Sequence, residues 1–275
     1  MKVAFLGGGN MAQAMLGGMI KQGFNPADFV LSDLLPANRE RIHAQWGVQV
    51  TPQLNSEQVQ SAQMLILAVK PQQSTEALRS LPKLPAHMLV LSILAGVTSS
   101  WIAKQLGISE HQVVRAMPNT PALIQKGVTG VYATLLSVEQ KKQVQDILQS
   151  IGTVFWVDRE EQLDAITALS GSGPAYVFYW LEGWLAGAEH MGFTAEEAFQ
   201  LVMGTLEGAL GLIQSSTVAI SELRRRVTSP GGTTQAALEH LERQQWQSIF
   251  QQALEQARHR AQTLALELEK NGKDK

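Results

Sequence analysis

The sequence predicts an α/β protein in two parts: an N-terminal, doubly wound, mostly parallel sheet, followed by an all-α C-terminal part. In the first 157 residues, short apolar runs alternate with longer segments of helical periodicity. Such alternation requires crossover connections, which produce a parallel sheet covered by helices on both faces. After Asp158 only helical periodicity remains. We therefore expect two domains, residues 1–157 and residues 158–275.

Eight strands are predicted in the N-terminal part, because each apolar run is short and bounded by turn residues. They lie at residues 3–6, 29–32, 48–50, 65–69, 89–93, 113–117, 130–133 and 154–157. Six helices are predicted in the C-terminal part, at residues 160–169, 174–191, 194–214, 218–226, 233–242 and 244–270. Gly192 is typical of a helix end, and Thr194 with Glu197 forms a capping box for the next helix.

The helix predicted at residues 174–191 has almost no polar face, because its residues 176–181 form an apolar run. A helix that is apolar on every side must be buried on every side. A helical domain of about 115 residues has too small a core to bury it alone. We therefore expect a homodimer in which the second subunit covers this helix.

Composition and charge argue against several classes of function. The formal net charge of −2 provides no positive field for nucleic acid or an anionic membrane surface. The absence of cysteine excludes disulfides and thiolate chemistry, and the six histidines lack ligand spacing, so no protein-bound metal is expected. No apolar run approaches the roughly 20 residues of a membrane span. Because the first apolar run is also too short for a signal peptide, a cytoplasmic location is expected.

A glycine-rich turn between the first strand and the first helix predicts a Rossmann-type domain that binds a nicotinamide dinucleotide. In the pattern G-x-G-x-x-A, Gly7 makes the tight turn, Gly9 admits the pyrophosphate, and Ala12 allows close packing of helix on strand. A glycine-rich turn without a ligand is the alternative, but the strand before it and the helix after it favour the cofactor site. The expected contacts here are Gly7, Gly8, Gly9, Asn10, Met11 and Ala12.

The choice between NADH and NADPH depends on the end of the second strand. Asp33 follows Ala12 by 21 residues, as does the acidic residue that bonds the adenosine ribose 2′-hydroxyl in such domains. Asp33 therefore favours NADH. Its neighbour Ser32, also an expected cofactor contact, and the more distant Arg39 keep NADPH open.

Three further loops follow neighbouring strands of the predicted sheet, at the edge where ligands bind in such folds. Lys70 is either a cation that faces the ligand or a solvated loop residue. The segment at residues 118–121 either borders the nicotinamide or forms a plain Pro-Asn-Thr-Pro turn. The residues that we expect to contact the cofactor are Ala68, Val69, Lys70, Pro71, Ala95, Gly96, Asn119 and Thr120.

The run Ser-Pro-Gly-Gly-Thr-Thr at residues 229–234 opens a predicted helix in the C-terminal part. Its backbone N–H groups and hydroxyls at a helix N-terminus suit a small carboxylate. An oxyanion hole would look similar, but no serine or cysteine nucleophile with a histidine partner is visible. The preceding arginines 224–226 are either a solvated helix end or a means of steering an anionic substrate.

The chain resembles the pyrroline-5-carboxylate reductases from residue 1 to about residue 265. The resemblance rests on residues 5–12, 68–71, 115–121 and 169–178, and most specifically on residues 227–237, Val-Thr-Ser-Pro-Gly-Gly-Thr-Thr-Gln-Ala-Ala. It implies hydride transfer from NADPH or NADH to the C=N carbon of 1-pyrroline-5-carboxylate, which gives L-proline. It also implies a homodimer, which in this family can assemble further into a ring of five dimers.

The resemblance further implies that Thr234 is the catalytic residue that hydrogen-bonds the ring nitrogen. The residues that it implies around the substrate are Val227, Ser229, Gly231, Gly232, Thr233 and Thr234. The chain departs from the family pattern at two places. Members often carry an acid or amide near Arg225, and many have a small polar residue followed by arginine in place of Asp33 and Leu34. The second departure makes the site less suited to a 2′-phosphate.

Two other functions are compatible with this plan. One is another two-domain nicotinamide enzyme, either an imine reductase or a hydroxyacid dehydrogenase. Alcohol oxidation requires a general base, and residues 171–180 lack the lysine that related hydroxyacid enzymes carry on this helix. The other is a dinucleotide sensor that has lost turnover, which the intact loop at residues 229–234 argues against.

Overall fold

An eight-stranded sheet forms the centre of the N-terminal part in the computed structural model, which describes residues 1–271. All eight predicted strands are present, with ends shifted by up to three residues. Strands β1 to β8 span Val3–Leu6, Phe29–Ser32, Gln49–Thr51, Met64–Leu67, Leu89–Ser92, Val113–Met117, Gly127–Ala133 and Gly152–Trp156.

The spatial order of the strands is β3-β2-β1-β4-β5-β6-β7-β8, and every neighbouring pair is parallel except β6 and β7. The chain therefore proceeds in one direction from β1 to β3 and in the other from β4 onward. Loops at the carboxyl ends of β1 and β4 diverge at this reversal and leave a crevice in which ligands bind. The predicted doubly wound, mostly parallel fold is confirmed.

Seven helices accompany the sheet, and their segments cross between the parallel strands or follow the last one. Helices α1 to α7 span Asn10–Lys21, Pro36–Trp46, Ser56–Ser61, Ser74–Arg79, Ser99–Leu106, Val138–Gln149 and Gln162–Ile166. The rest of the described chain is helical, as predicted. A π-helical turn at Thr167–Gly171 follows α7, and helices α8 to α12 span Gly173–His190, Ala195–Ser215, Ile220–Arg226, Thr233–Arg243 and Trp246–Asn271.

The core of the sheet domain consists of two apolar clusters, one on each face of the sheet. Side chains alternate between faces along a strand, so Val3 and Phe5 of β1 enter one cluster while Ala4 and Leu6 enter the other. Both faces are covered, which explains why β1 is apolar at every position and does not alternate with polar residues. Its carboxyl end is thereby held rigidly at the ligand-binding edge.

Contacts between Cα atoms divide the chain into two units. The first contains Met1–Pro174 together with the described part of the chain from Gln256, and the second contains Ala175–Glu255. The first unit extends past residue 157 because α7 packs against β6 and β7. The division into domains after residue 157, with its assignment of roles, stays a prediction.

The second unit exposes much of its apolar surface in the single chain. Consecutive apolar side chains of α8 are exposed over about one turn, including Phe178 at 61% and Tyr179 at 79% of their full area. The prediction required this helix to be covered, and the single chain does not cover it. Further along, α9 presents Gly204 and Gly208, where an added Cβ would meet no atom within 4 Å.

Candidate active site

The glycine-rich turn connects β1 to the N-terminus of α1. Gly9 is the N-cap of α1 and an added Cβ there would meet nothing within 4 Å, so the first turn of the helix is open to a ligand. The N–H groups of this first turn have no acceptor within the helix, and they lie at the positive end of its dipole. Ala12 is fully buried, which brings α1 close to the sheet. This geometry suits a pyrophosphate.

Gly7 lies directly against the loop that follows β4. Its φ of +102° is in the left-handed region, and an added Cβ would come within 2.7 Å of the Ala68 carbonyl oxygen. A side chain is therefore excluded on both conformational and steric grounds. The structure thus brings together two predicted cofactor segments, 7–12 and 68–71. Lys70 is exposed and has no ion-pair partner among the described residues, which leaves its ammonium group available.

Asp33 stands at the carboxyl end of β2 and holds the glycine-rich turn. Its Oδ2 accepts a hydrogen bond from the Gly8 N–H at 3.0 Å and another from the Asn38 amide at 3.3 Å, while Oδ1 accepts from the Leu35 N–H at 2.8 Å. These bonds fix the carboxylate beside the crevice. The position matches that of the acid that binds an adenosine ribose, so a contact with the 2′-hydroxyl stays our prediction.

Ser32 and Arg39, the two residues that leave binding of a 2′-phosphate possible, both form hydrogen bonds within the chain. The buried hydroxyl of Ser32 donates to the Phe5 carbonyl oxygen at 3.2 Å. Nη1 of Arg39 donates to the carbonyl oxygens of Asp33 and Leu34 at 2.7 and 2.9 Å. These bonds are compatible with our prediction that a ribose hydroxyl binds at this strand end.

The loop after β5 is a tight turn. The Val97 N–H donates to the Leu94 carbonyl oxygen at 3.4 Å, and Gly96 has a φ of +72°. Positive φ at this third position of a turn is typical of glycine. Ala95, at the tip, is exposed. Both residues lie at the same edge of the sheet as the glycine-rich turn.

The loop after β6 uses the Asn119 side chain internally. Its Nδ2 donates to the Ser170 carbonyl oxygen at 3.0 Å, and its Oδ1 accepts from the Val128 N–H at 2.9 Å. The Asn119 amide therefore fastens the loop to β7 and to the π-helical turn. Thr120 is exposed at the start of a short 3-10 helix. The predicted nicotinamide contact of this loop thus falls more naturally to Thr120 and the backbone.

The loop at residues 229–234 begins α11. The Gly231 N–H donates to Oε1 of Gln235 at 2.7 Å, and the Gly232 N–H donates to the Ser229 carbonyl oxygen at 3.1 Å. These two amides are therefore engaged inside the loop. Thr233 and Thr234 are the first residues of the helix, and their N–H groups have no acceptor within it. An anion would find its backbone donors there.

The arginines before this loop are partly neutralised by an acid on their own helix. Glu222 accepts two hydrogen bonds from Arg225, at 2.6 and 2.8 Å, and one from Arg226 at 3.0 Å. The same bonds lower the pKa of Glu222 and raise the pKa of Arg225. This pairing favours the solvated helix end over a role in steering substrate. Val227, which ends this helix, is exposed.

Sequence reasoning missed a partly buried charged network behind the loops after β5 and β6. Oε1 of Glu160 accepts from Arg115 Nη1 at 2.8 Å and from the Ser99 N–H at 2.7 Å, and its Oε2 accepts from the Ser99 hydroxyl at 2.8 Å. The Ser99 hydroxyl also lies 2.8 Å from Oε1 of Glu110. An arginine inside the predicted buried strand β6 was the available signal, since a buried charge requires a partner.

Burial raises the pKa of two groups beside this network. Burial raises the pKa of Asp164, and Glu160 and Glu161 raise it further, while Arg115 acts in the opposite direction. Burial and then the charge of Glu160 also raise the pKa of Tyr132. Ionisation of either group is therefore disfavoured in the folded protein.

A π-helical turn at Thr167–Gly171 was also missed, because the sequence predicts an ordinary helix at residues 160–169. The Ser172 N–H donates to the Thr167 carbonyl oxygen at 2.8 Å, the five-residue spacing of a π-helix. Gly171 lies against Met117 at the end of β6, where an added Cβ would come within 2.9 Å of its Cε. Such turns are frequent at functional sites.

Neither a metal centre nor a membrane span is found in the part of the chain that the structure describes. Residues 1–271 contain no group of three His, Asp or Glu side chains placed to hold a metal ion. No helix there combines the length and apolar character needed to cross a bilayer.

The fold and the edge loops define a dinucleotide-binding oxidoreductase, and the comparisons with known proteins identify its family. Residues 160–264 match the family model for pyrroline-5-carboxylate reductase dimerisation, and residues 2–96 match the model for the coenzyme F420-dependent NADP oxidoreductases. A pyrroline-5-carboxylate reductase from Pseudomonas aeruginosa is 39% identical over 97% of this chain and 98% of the relative. The chain belongs to the pyrroline-5-carboxylate reductase family.

Solved structures agree with this assignment. A pyrroline-5-carboxylate reductase from Coxiella burnetii, 36% identical, matches 96% of this chain and 98% of its own with a TM-score of 0.85. The Plasmodium falciparum pyrroline carboxylate reductase, solved with NADP bound, is 25% identical and matches the same shares of the two chains, also with a TM-score of 0.85. The predicted resemblance is confirmed.

Proposed function

We propose that this protein reduces 1-pyrroline-5-carboxylate to L-proline with NADH or NADPH. The observation that carries this proposal is the 39% identity that extends over 97% of the chain, both the sheet domain and the helical segments. The other members of the family named above bear the same activity in their names. The enzyme is an NAD(P)H-dependent oxidoreductase that acts on a C=N bond.

We assign the roles of the residues from their geometry and, for the Thr234 hydroxyl, from the family resemblance. The open first turn of α1, with Gly9 at its N-cap, receives the pyrophosphate. Thr233 and Thr234 offer the first amides of α11 to the substrate carboxylate, and the Thr234 hydroxyl donates to or accepts from the ring nitrogen. Reduction then requires the C=N carbon to lie against C4 of the nicotinamide, so that positioning supplies most of the rate.

Asp33 adapts the adenosine pocket to NADH. A carboxylate accepts a hydrogen bond from a 2′-hydroxyl but repels a 2′-phosphate. Its bond to the Gly8 N–H holds it in place, and Arg39 is engaged with backbone carbonyl oxygens. We therefore expect NADH to be used at least as well as NADPH.

A steady-state assay of both cofactors with pyrroline-5-carboxylate tests the function. Reductase activity predicts a fall in absorbance at the nicotinamide wavelength together with formation of proline in equal amount. A protein that only senses the dinucleotide would bind NAD(P)H and leave the absorbance unchanged. A hydroxyacid dehydrogenase would instead reduce the cofactor when given a hydroxyacid.

The protein is an oligomer, as its match to the dimerisation model indicates. For the assembly we propose a homodimer built on the exposed apolar side chains of α8, such as Phe178 and Tyr179, with a ring of five dimers as the larger form. Sedimentation at micromolar concentration tests this: a stable monomer would contradict the dimer, and a dimer without larger species would contradict the ring. A cytoplasmic location remains part of the proposal.

A further inference from the structure

Glu160 connects the segment after β8 to the beginning of α5. Its carboxylate bonds both polar groups of Ser99, the N–H at 2.7 Å and the hydroxyl at 2.8 Å, across 61 positions of the chain. Ser99 is fully buried and is the first residue of α5. Its N–H has no intrahelical acceptor, so Glu160 satisfies a donor that would otherwise be buried without a partner.

The helix start that Glu160 fixes lies next to a predicted cofactor loop. Thr98 is the N-cap of α5, and the turn that contains Ala95 and Gly96 ends at Val97, one residue earlier. The hydrogen bond that closes the turn, from the Val97 N–H to the Leu94 carbonyl oxygen, is long at 3.4 Å. The turn is held by strand β5, by the buried side chains of Leu94 and Val97, and by the first residue of α5.

The same segment of chain also fastens the next loop. Ten residues after Glu160, the carbonyl oxygen of Ser170 accepts from the Asn119 side chain. Glu160 is itself paired with Arg115, which lies on β6 four residues before Asn119. Residues 160–170 thus hold the loop after β5 at one end and the loop after β6 at the other.

We propose that Glu160 is a positioning residue for the reductase: through Ser99 it holds the Ala95–Gly96 turn in the conformation that binds the nicotinamide cofactor. The inference rests on the proposed function, since it concerns the cofactor site of that reaction. An ion pair with Arg115 alone would require one carboxylate oxygen, whereas here both oxygens bond Ser99. If the turn loses its anchor, only a fraction of molecules is competent to bind, and the apparent Kd rises by the inverse of that fraction.

Glu160→Asp tests this separately from the ion pair. It keeps the charge beside the buried Arg115 but shortens the side chain by about 1.5 Å, so it cannot reach Arg115 and Ser99 together. Glu160→Gln keeps the length and removes the charge. The matched control is Asp146→Asn, which removes an exposed carboxylate from the Lys142 ion pair on α6 of the same unit. The measurements are the Kd of NADH and NADPH by fluorescence, KM for pyrroline-5-carboxylate, hydrogen exchange of residues 93–101, and Tm.

For Glu160→Asp we expect a Kd for the dinucleotide about tenfold higher, corresponding to a competent fraction near one tenth. Exchange should become faster in residues 93–101, KM for the imine should be unchanged, and Asp146→Asn should match the wild type in every measurement. A purely structural role would lower Tm and leave the Kd of the folded protein unchanged, and that result overturns the proposal. If Glu160→Gln does not fold, the measurements on Glu160→Asp alone test the positioning role.

The outcomes separate this proposal from the proposed function. A wild type that binds neither dinucleotide overturns both. A wild type that binds the dinucleotide but does not reduce pyrroline-5-carboxylate overturns the proposed function alone. The dinucleotide Kd and the hydrogen exchange of Glu160→Asp then still test the positioning role. Equal Kd and equal exchange in wild type and Glu160→Asp overturn the positioning role alone.

Discussion

Replacing Asp33 by asparagine should shift the enzyme toward NADPH. The carboxylate is fixed at the carboxyl end of β2 by hydrogen bonds from Gly8, Leu35 and Asn38. Asparagine is nearly the same size but neutral, and its NH₂ group places a donor where one of the two carboxylate oxygens was an acceptor. The substitution therefore disturbs the Gly8 or the Leu35 bond for both cofactors equally. The ratio of kcat/KM for NADPH to that for NADH cancels this shared disturbance.

Two effects on this ratio act in the same direction. A hydrogen bond to a charged group contributes about 1.5–3 kcal/mol and a neutral one about 1 kcal/mol, so NADH loses about 1 kcal/mol. Repulsion between the carboxylate and a phosphate charge about 4 Å away is about 1 kcal/mol in water and more at a protein surface. Removing the negative charge therefore makes the binding of NADPH more favourable by at least this amount. The sum of about 2 kcal/mol corresponds to a change of about 30-fold in the ratio.

Initial rates with each cofactor, at saturating pyrroline-5-carboxylate, measure the ratio for wild type and Asp33→Asn. Asp146→Asn, which removes an exposed acid that is paired with Lys142 on α6, should leave the ratio unchanged. Adding an arginine, in Asp33→Ser with Leu34→Arg, should shift the ratio further toward NADPH. A wild type that strongly prefers NADPH, or a ratio that Asp33→Asn does not alter, would refute the role of Asp33.

Three further predictions concern the loop at residues 229–234 and the carboxyl group of Asp164. Thr234→Ala should lower kcat/KM about 10- to 150-fold with an unchanged cofactor Kd, because one polar contact of roughly 1–3 kcal/mol is lost; a loss beyond roughly 10⁴-fold would mean proton transfer by Thr234. Gly232→Val should lower kcat/KM further than Thr234→Ala, because an added Cβ comes within 2.5 Å of the Ser229 hydroxyl; an equal or smaller loss would contradict this. Burial raises the pKa of Asp164 above its ordinary value of 3.8 in the folded protein. Ionisation therefore destabilises the folded state, and this cost grows as the pH rises from the unfolded pKa through the folded one. Asp164→Asn should therefore raise the free energy of unfolding at pH 7, measured by urea titration, with a gain that shrinks toward pH 4; a gain that does not depend on pH would refute the charge argument.

Much of the sheet domain was predictable because its signals are local. A strand buried on both faces must be apolar at every position, and the unbroken apolar runs of β1 and β4 are buried at every position. The glycine-rich turn was predictable for the same reason: Gly7 occupies a left-handed conformation against Ala68, which other residues do not tolerate. The loop at residues 229–234 carries its own N-terminal helix signal.

The side-chain partners were not predictable, because they join residues distant in the sequence. Ser99 and Glu160 are separated by 61 positions, and only the sheet brings them together. Asn119 was predicted at the nicotinamide, but its amide is engaged with Val128 and the Ser170 carbonyl oxygen. A sequence shows that an asparagine follows a strand; it does not show which way its amide points.

The sequence by itself determined the fold class, the glycine-rich turn after β1 and the family, because periodicity, glycine requirements and motifs depend on a few neighbouring residues. The tertiary structure decided which polar groups remain open to ligands. It engages Ser32, Arg39 and the amides of Gly231 and Gly232 within the chain, and it anchors the loop after β5 through Glu160. The physical reason is that buried polar groups must find partners, and the partner that each finds depends on the packing of the whole domain.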